Sequence, residues 1–157
     1  ELASGVALVP GATAFTPALC ALSDGCDKQA DMKPEVIASE GAPKAVGAYA
    51  QAVRAQGFVF LSGQIPLDPS TGELITGDIA SQTRRVMDNL RAILETAGTA
   101  LDRVVKATIY LTDMNDFAVV NQTYAEYFPA AKPARATVAV AGLPRGAKVE
   151  IDMIALA

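Results

Sequence analysis

Between Asp78 and Ala97 the chain places Ile79, Thr83, Val86, Leu90, Ile93 and Leu94 at steps of three and four residues. That spacing winds onto one stripe of an α-helix, because 3.6 residues complete a turn. Asp78 stands where an N-cap accepts backbone N–H bonds, and Gly98 follows where a left-handed residue closes a helix. Arg84, Arg85, Asp88, Arg91 and Glu95 fall off the stripe, toward water. A helix this one-sided needs a second layer to cover its stripe, so its flanking segments decide the fold.

Those segments read as strands. Val36–Ala38 is a short one. Ala50–Ala55 and Phe58–Ser62 are apolar runs separated by Gln56-Gly57, a tight hairpin signal. Gly63 to Gly77, rich in Pro, Asp, Ser, Thr and Gly, reads as loop. Val104–Leu111 is β-branched and strand-like. Asp113-Met114-Asn115-Asp116 supplies caps for a second helix carrying Phe117, Val120, Tyr124 and Phe128 on one stripe, ended by Pro129 and Pro133. Ala134–Val140 and Lys148–Leu156 read as two closing strands joined by a loop with Gly142, Pro144 and Gly146. Val138, Val140, Val149, Ile151 and Ile154 are expected on their buried faces. The order predicts a two-layer α/β (α+β) domain, a mixed sheet with two helices on one face. The strand runs are apolar at nearly every residue. The uncovered sheet face is therefore expected to pack on other copies of the chain, in a closed ring.

This domain is expected to span residues 32–157. Residues 1–31 show no helical or strand period and read as a leader or an engineered extension, without order or assigned function, ahead of a natural start at Met32. They fit neither a secretory signal, since Pro10 and Gly11 interrupt Val6–Val9, nor a transit peptide, since they hold no Arg. The only two cysteines, Cys20 and Cys26, fall here and cannot staple the domain or complete a structural zinc site. One Lys against four acids gives this segment −3 of the total charge of −4; the remainder is almost neutral, with 12 basic and 13 acidic residues. Such a balance argues against nucleic acid as a partner. No apolar run approaches the roughly 20 residues of a membrane-spanning helix. A cytoplasmic location is expected, or an organellar one should residues 1–31 belong to a longer targeting segment.

The chain has no histidine, which removes the commonest neutral-pH acid–base group and transition-metal ligand. Ser and Thr lack a His partner, the domain has no Cys, and no phosphate-loop spacing occurs. Charges in apolar strands remain. Arg135 opens Pro133-Ala134-Arg135-Ala136-Thr137-Val138, where its planar fork would match a carboxylate; an ordinary strand-end ion pair would place it equally well. Glu150 lies between Val149 and Ile151. Facing a cleft, it would have a raised pKa and could hold a water; facing outward, it would only continue the strand's alternation. Tyr49, and Ser62-Gly63-Gln64 after a strand, could face a ligand or serve packing and turns.

Taken together, Gly47-Ala48-Tyr49-Ala50-Gln51-Ala52-Val53, Phe60-Leu61-Ser62-Gly63-Gln64-Ile65-Pro66, Asn115-Asp116-Phe117 with Asn121 and Tyr124, Pro133–Val138, and Leu143-Pro144 through Val149-Glu150-Ile151 resemble the reactive intermediate deaminase (RidA, YjgF-type) family. The resemblance runs over about residues 34–157. It implies a chorismate-mutase-like fold and a homotrimeric barrel with ligand sites in clefts between subunits. It also implies hydrolysis of 2-aminoacrylate and related enamine or imine acids, released by pyridoxal-phosphate enzymes, to 2-keto acids and ammonia. Arg135 would then bind the substrate carboxylate and Glu150 would orient the attacking water. Tyr49 would wall the site from the neighbouring subunit, with Ser62, Gly63 and Asn121 around it. Thr137 stands where many members have Cys, a position expected to contribute mainly backbone. No metal or cofactor is called for. Two other readings attach to such a chain: an endoribonuclease or translation inhibitor, for which a basic stripe at Arg84, Arg85 and Arg91 would be needed, and a non-catalytic ligand-binding trimer.

Overall fold

The computed structural model describes residues 33–130 and 132–157; residues 1–32, with Cys20 and Cys26, and residue 131 lie outside the described residues. The strands are β1 (Glu35–Ile37), β2 (Ala52–Ala55), β3 (Phe58–Gln64), β4 (Val104–Leu111), β5 (Ala134–Ala139) and β6 (Val149–Leu156). Two helices interrupt them, α1 (Ile79–Thr96) and α2 (Phe117–Ala125). The strands form one mixed sheet in the order β1-β2-β3-β6-β4-β5, antiparallel except for β4 and β5. Both helices cover one face, giving the expected two-layer α+β architecture.

Gln56 and Gly57 both adopt positive φ, 49° and 79°, the two-residue turn whose twist matches the flanking strands β2 and β3. Helix α1 starts as its sequence indicates: the Asp78 side chain accepts from the Ser81 backbone N–H, and Gly98 follows with φ 73°. Its buried face is wider than the apolar stripe, since Gln82, Met87 and Asn89 are buried beside Val86, Leu90, Ile93 and Leu94. Against it the sheet turns Val59, Leu61, Ala107, Ile109, Val149, Ile151 and Met153, all buried. Each such large apolar side chain contributes about 1.5–3 kcal/mol, more than helix propensity supplies per residue.

Four expectations need correction. First, the closing strands do not bury all the residues expected of them, and β5 and β6 do not pair. Helix α2 carries the chain across so that β5 lies parallel to β4 at the sheet's edge, and β4 separates it from β6. Val138 is consequently 42% exposed, and Val140 and Ile154 are only half-buried. Second, α2 ends at Ala125 rather than at Pro129; Phe128 is buried beyond it, while Phe117, at the first helical residue, stays partly exposed. Third, β3 runs on through Gly63 to Gln64, since its ladder with β6 continues past a bulge. Fourth, the uncovered face is not apolar throughout. Phe58, Phe60, Leu156 and Val138 are exposed on it, but Lys106, Thr108, Tyr110, Glu150 and Asp152 share it.

The segment before β2 has little regular structure and is held by a buried amide. Gln51 Nε2 donates to the carbonyls of Ser39, Ala42 and Pro43, and its Oε1 accepts from the Ser39 N–H. Replacing it strands several backbone groups away from water. Gln51→Leu is expected to lose roughly 2–3 kcal/mol of stability in urea denaturation, without changing the secondary structure seen by circular dichroism.

Candidate functional site

Side chains alternate across a strand, and that period distributes the candidate residues over two clefts. Glu150 pairs in register with Tyr110, between the buried Val149 and Ile151, so it points to the uncovered face. Arg135 pairs with Ala107, which is buried under the helices, so it leaves β5 on the other face. Within one chain the sheet separates them.

The first cleft, about 800 Å³, contains Tyr49, Ser62, Gly63 and Glu150. The bulge in β3 makes it: Leu61 pairs with Met153 and Gln64 with Ile151, so two residues of β3 oppose Asp152 alone. Gly63, at that bulge, is pressed against the Glu150 carboxyl, and a Cβ on it would lie 1.9 Å from Glu150 Oε1. It is this close approach, and not the backbone angle, that a side chain at 63 would disturb, by displacing the movable carboxyl of Glu150. Desolvation, and then the nearby Asp152 carboxylate, push the Glu150 pKa above the usual glutamate range. Asp152 accepts from Tyr110 Oη at 2.8 Å, a bond that pushes the tyrosine pKa up. Ser62 Oγ donates to the Ala50 carbonyl at 2.6 Å, so its hydroxyl can only accept from a ligand. Tyr49 is 52% exposed, on the stretch that Gln51 anchors.

Lys44 and Arg145 also line this cleft, and sequence reasoning missed both. Arg145 sits at φ 59°, ψ 15°, with its guanidinium turned back onto the Gly72 carbonyl and the Glu73 carboxylate. It ties the 143–147 turn to the loop after β3. Loop lysines and arginines give no periodic signal, so only the fold could bring them forward.

The second cleft, about 370 Å³, lies between α2 and the start of β5. Here Arg135 Nη2 donates to Asn121 Oδ1 at 2.8 Å, and the guanidinium carbon lies 5.0 Å from the centre of the Tyr124 ring. Among the described residues no carboxylate pairs with it. Asn121 therefore serves the arginine directly. Thr137, two residues on, has a buried hydroxyl without a hydrogen-bond partner among the described residues. Strand β5 is the last of the sheet, so its outward backbone groups are open to a ligand or a second chain. Among the described residues no three His, Cys, Asp or Glu side chains converge as metal ligands, and no helix is long and apolar enough to cross a membrane.

The chain matches the family described as endoribonuclease L-PSP over residues 39–157. It belongs to that family, also called the YjgF/RutC/RidA family. Among its members, a RutC family protein of Pyrococcus horikoshii is 55% identical over 77% of this chain and 96% of its own length. The 2-iminobutanoate/2-iminopropanoate deaminase of Mus musculus is 46% identical over 78% of this chain and 90% of its own. The crystal structure of E. coli TdcF with bound serine is 41% identical, covers 78% of this chain and 98% of its own, and superposes with a TM-score of 0.75. The family's matched region thus contains both clefts.

The contact between Gly63 and Glu150 is testable alone. Carbon-detected NMR titration of the Glu150 carboxyl is expected to place its pKa above the ordinary glutamate value. In Gly63→Ala the added methyl expels the carboxyl toward water, and the pKa returns to the ordinary range. Because the folded-state pKa is raised, the stability Glu150 contributes is fully present below its unfolded-state pKa and declines as pH rises through the folded one.

Proposed function

We propose that the protein hydrolyses 2-imino acids and their enamine tautomers, such as 2-aminoacrylate, to 2-keto acids and ammonia, with each site built from two copies of the chain. The observation that carries this reading is the Arg135 guanidinium, fixed by Asn121 and Tyr124 and paired with no carboxylate among the described residues. Its remaining N–H donors suit a planar carboxylate that accepts two parallel bonds. The relatives agree in part: the mouse protein's name gives this reaction, while the P. horikoshii name gives only the family, and TdcF holds a 2-amino acid.

An imine carbon beside a carboxylate is already electrophilic. The protein's tasks are to hold the acid, place a water and exclude competing nucleophiles. Arg135 holds the acid. Glu150, in its carboxylate form, accepts a hydrogen bond from the water and takes its proton as the oxygen adds to the imine carbon. That proton passes to nitrogen, giving a carbinolamine. Glu150 then takes the new hydroxyl's proton and returns it to the amine as the C–N bond breaks, so ammonia leaves and the carbonyl of the keto acid forms. A glutamate with a raised pKa is a stronger base for this step than an ordinary one. Tyr49 walls the site, Ser62 offers its lone pairs, and the Thr137 backbone lies beside Arg135.

Arg135 and Glu150 act on one substrate only if a second copy supplies one of them. Two features support that assembly, a closed trimer: the exposed Phe58, Phe60 and Leu156 on the uncovered face, and the open edge of β5. The endoribonuclease of the family's description has less support in this chain. Arg84 pairs with Glu126 at 3.3 Å and Arg91 with Asp88 at 2.8 Å, so the stripe on α1 is largely neutralised.

In a coupled assay, a serine/threonine dehydratase generates the imino acid and keto-acid release is followed. The wild type is expected to accelerate release, and Arg135→Ala to lose about a hundredfold or more in kcat/KM while keeping its oligomeric state. No acceleration by the folded wild-type assembly sinks this reading. The rate is also expected to fall on the acid side with an apparent pKa above the ordinary glutamate value, a limb that Glu150→Gln abolishes along with most of the activity.

A further inference from the structure

We infer that Tyr124 is a positioning residue for the carboxylate clamp: its ring supports the flat face of the Arg135 guanidinium, so that an acid must bind at the fork's in-plane edge. The inference rests on the reading that Arg135 binds the substrate carboxylate, and it adds a residue that the reaction itself does not call for.

Arg135 stands near the start of the sheet's edge strand and is exposed, with a flexible stem and no acid to hold it among the described residues. Left alone, such a side chain samples many rotamers and gives up that freedom on each binding event. Two contacts remove it beforehand. Asn121 Oδ1 takes one N–H at the rim of the fork, and the Tyr124 ring lies under its centre at 5.0 Å. Asn121 and Tyr124 are three residues apart on α2, hence neighbours on one helix face, and they present acceptor and ring together. The ring is itself immobile: it is 5% exposed and packs on Phe128 with centroids 4.7 Å apart.

The hydroxyl takes no part. Tyr124 Oη is buried and has no hydrogen-bond partner among the described residues. Burial pushes its pKa up to about 12, so it is neither an anion for the guanidinium nor a proton donor at neutral pH. What it offers Arg135 is the negative face of the ring. With its central carbon over that ring and one N–H taken by Asn121, the guanidinium keeps the rest of its fork for a carboxylate that accepts two parallel bonds in its plane. A lysine at 135 would keep the charge without that geometry.

Fluorinated phenylalanines at position 124 test this with a small change in ring size, because each fluorine weakens the ring's negative face. Tyr124→Phe, which keeps the ring and removes the hydroxyl that has no partner among the described residues, is the reference from which the series is measured. Across the mono- to pentafluoro variants, the Kd for 2-oxobutanoate and the KM for imino acid are expected to rise together. The full series spans roughly three- to thirtyfold, with kcat little changed because the carboxylate is held equally before and during reaction. A merely structural ring gives flat values. A flat series, with Arg135→Ala abolishing 2-oxobutanoate binding, overturns the role of Tyr124 and leaves the clamp standing. Unchanged binding in Arg135→Ala overturns the clamp and the inference together.

Discussion

The alternation of side chains across one sheet, covered on one face only, governs everything else in this protein. It sends Val149, Ile151 and Met153 into the core beneath α1, and by the same geometry sends Glu150 and Asp152 to the uncovered face. In the neighbouring ladders it puts Tyr110 beside Glu150, and Arg135 on the helix side. The acid and the guanidinium that the proposed chemistry would use are therefore built on opposite faces of the same sheet. The proposed chemistry asks for an interface, and the fold arranges its charged groups as an interface would use them.

Around each half the protein spends polar interactions on placement. Gln51 fixes the segment that carries Tyr49, and Asn89, buried on α1, donates to the Leu67 carbonyl beneath the loop that walls the same cleft. Arg145 joins that loop to the turn before β6. On the other side Asn121 and Tyr124 fix Arg135. Buried amides and fixed guanidiniums are costly where they merely fill space, because each leaves desolvated donors. They are effective where a backbone segment without helix or strand bonds must hold one conformation, as it must beside a reacting carbon.

Much of this was legible in the sequence. The α1 stripe, its Asp78 cap and Gly98 stop, the Gln56-Gly57 turn and the limits of β4 follow local rules, and local rules hold where one face is buried and the other is not. The position of β5 was not legible. Periodicity gives a strand's faces but not its partner, and the parallel crossover through α2 depends on packing that no window of sequence contains. The site divided similarly. Arg135 and Glu150 stood out as charges in apolar runs, and Gly63 as a glycine at a strand's end. That the glycine lies against the Glu150 carboxyl depends on a bulge invisible in one strand alone. Tyr124 read as one more core aromatic on α2; only the fold sets its ring under a guanidinium.

The central claim is that one catalytic site takes Arg135 from one copy and Glu150 from another. Subunit mixing tests it directly. Arg135→Ala and Glu150→Gln chains, each inactive alone, are co-expressed with different tags and the mixed assemblies purified. Every closed trimer that contains both chains has one site in three that joins an intact Arg135 to an intact Glu150 on neighbouring copies, so the account predicts about a third of wild-type activity. Mixed assemblies as inactive as either parent would contradict it.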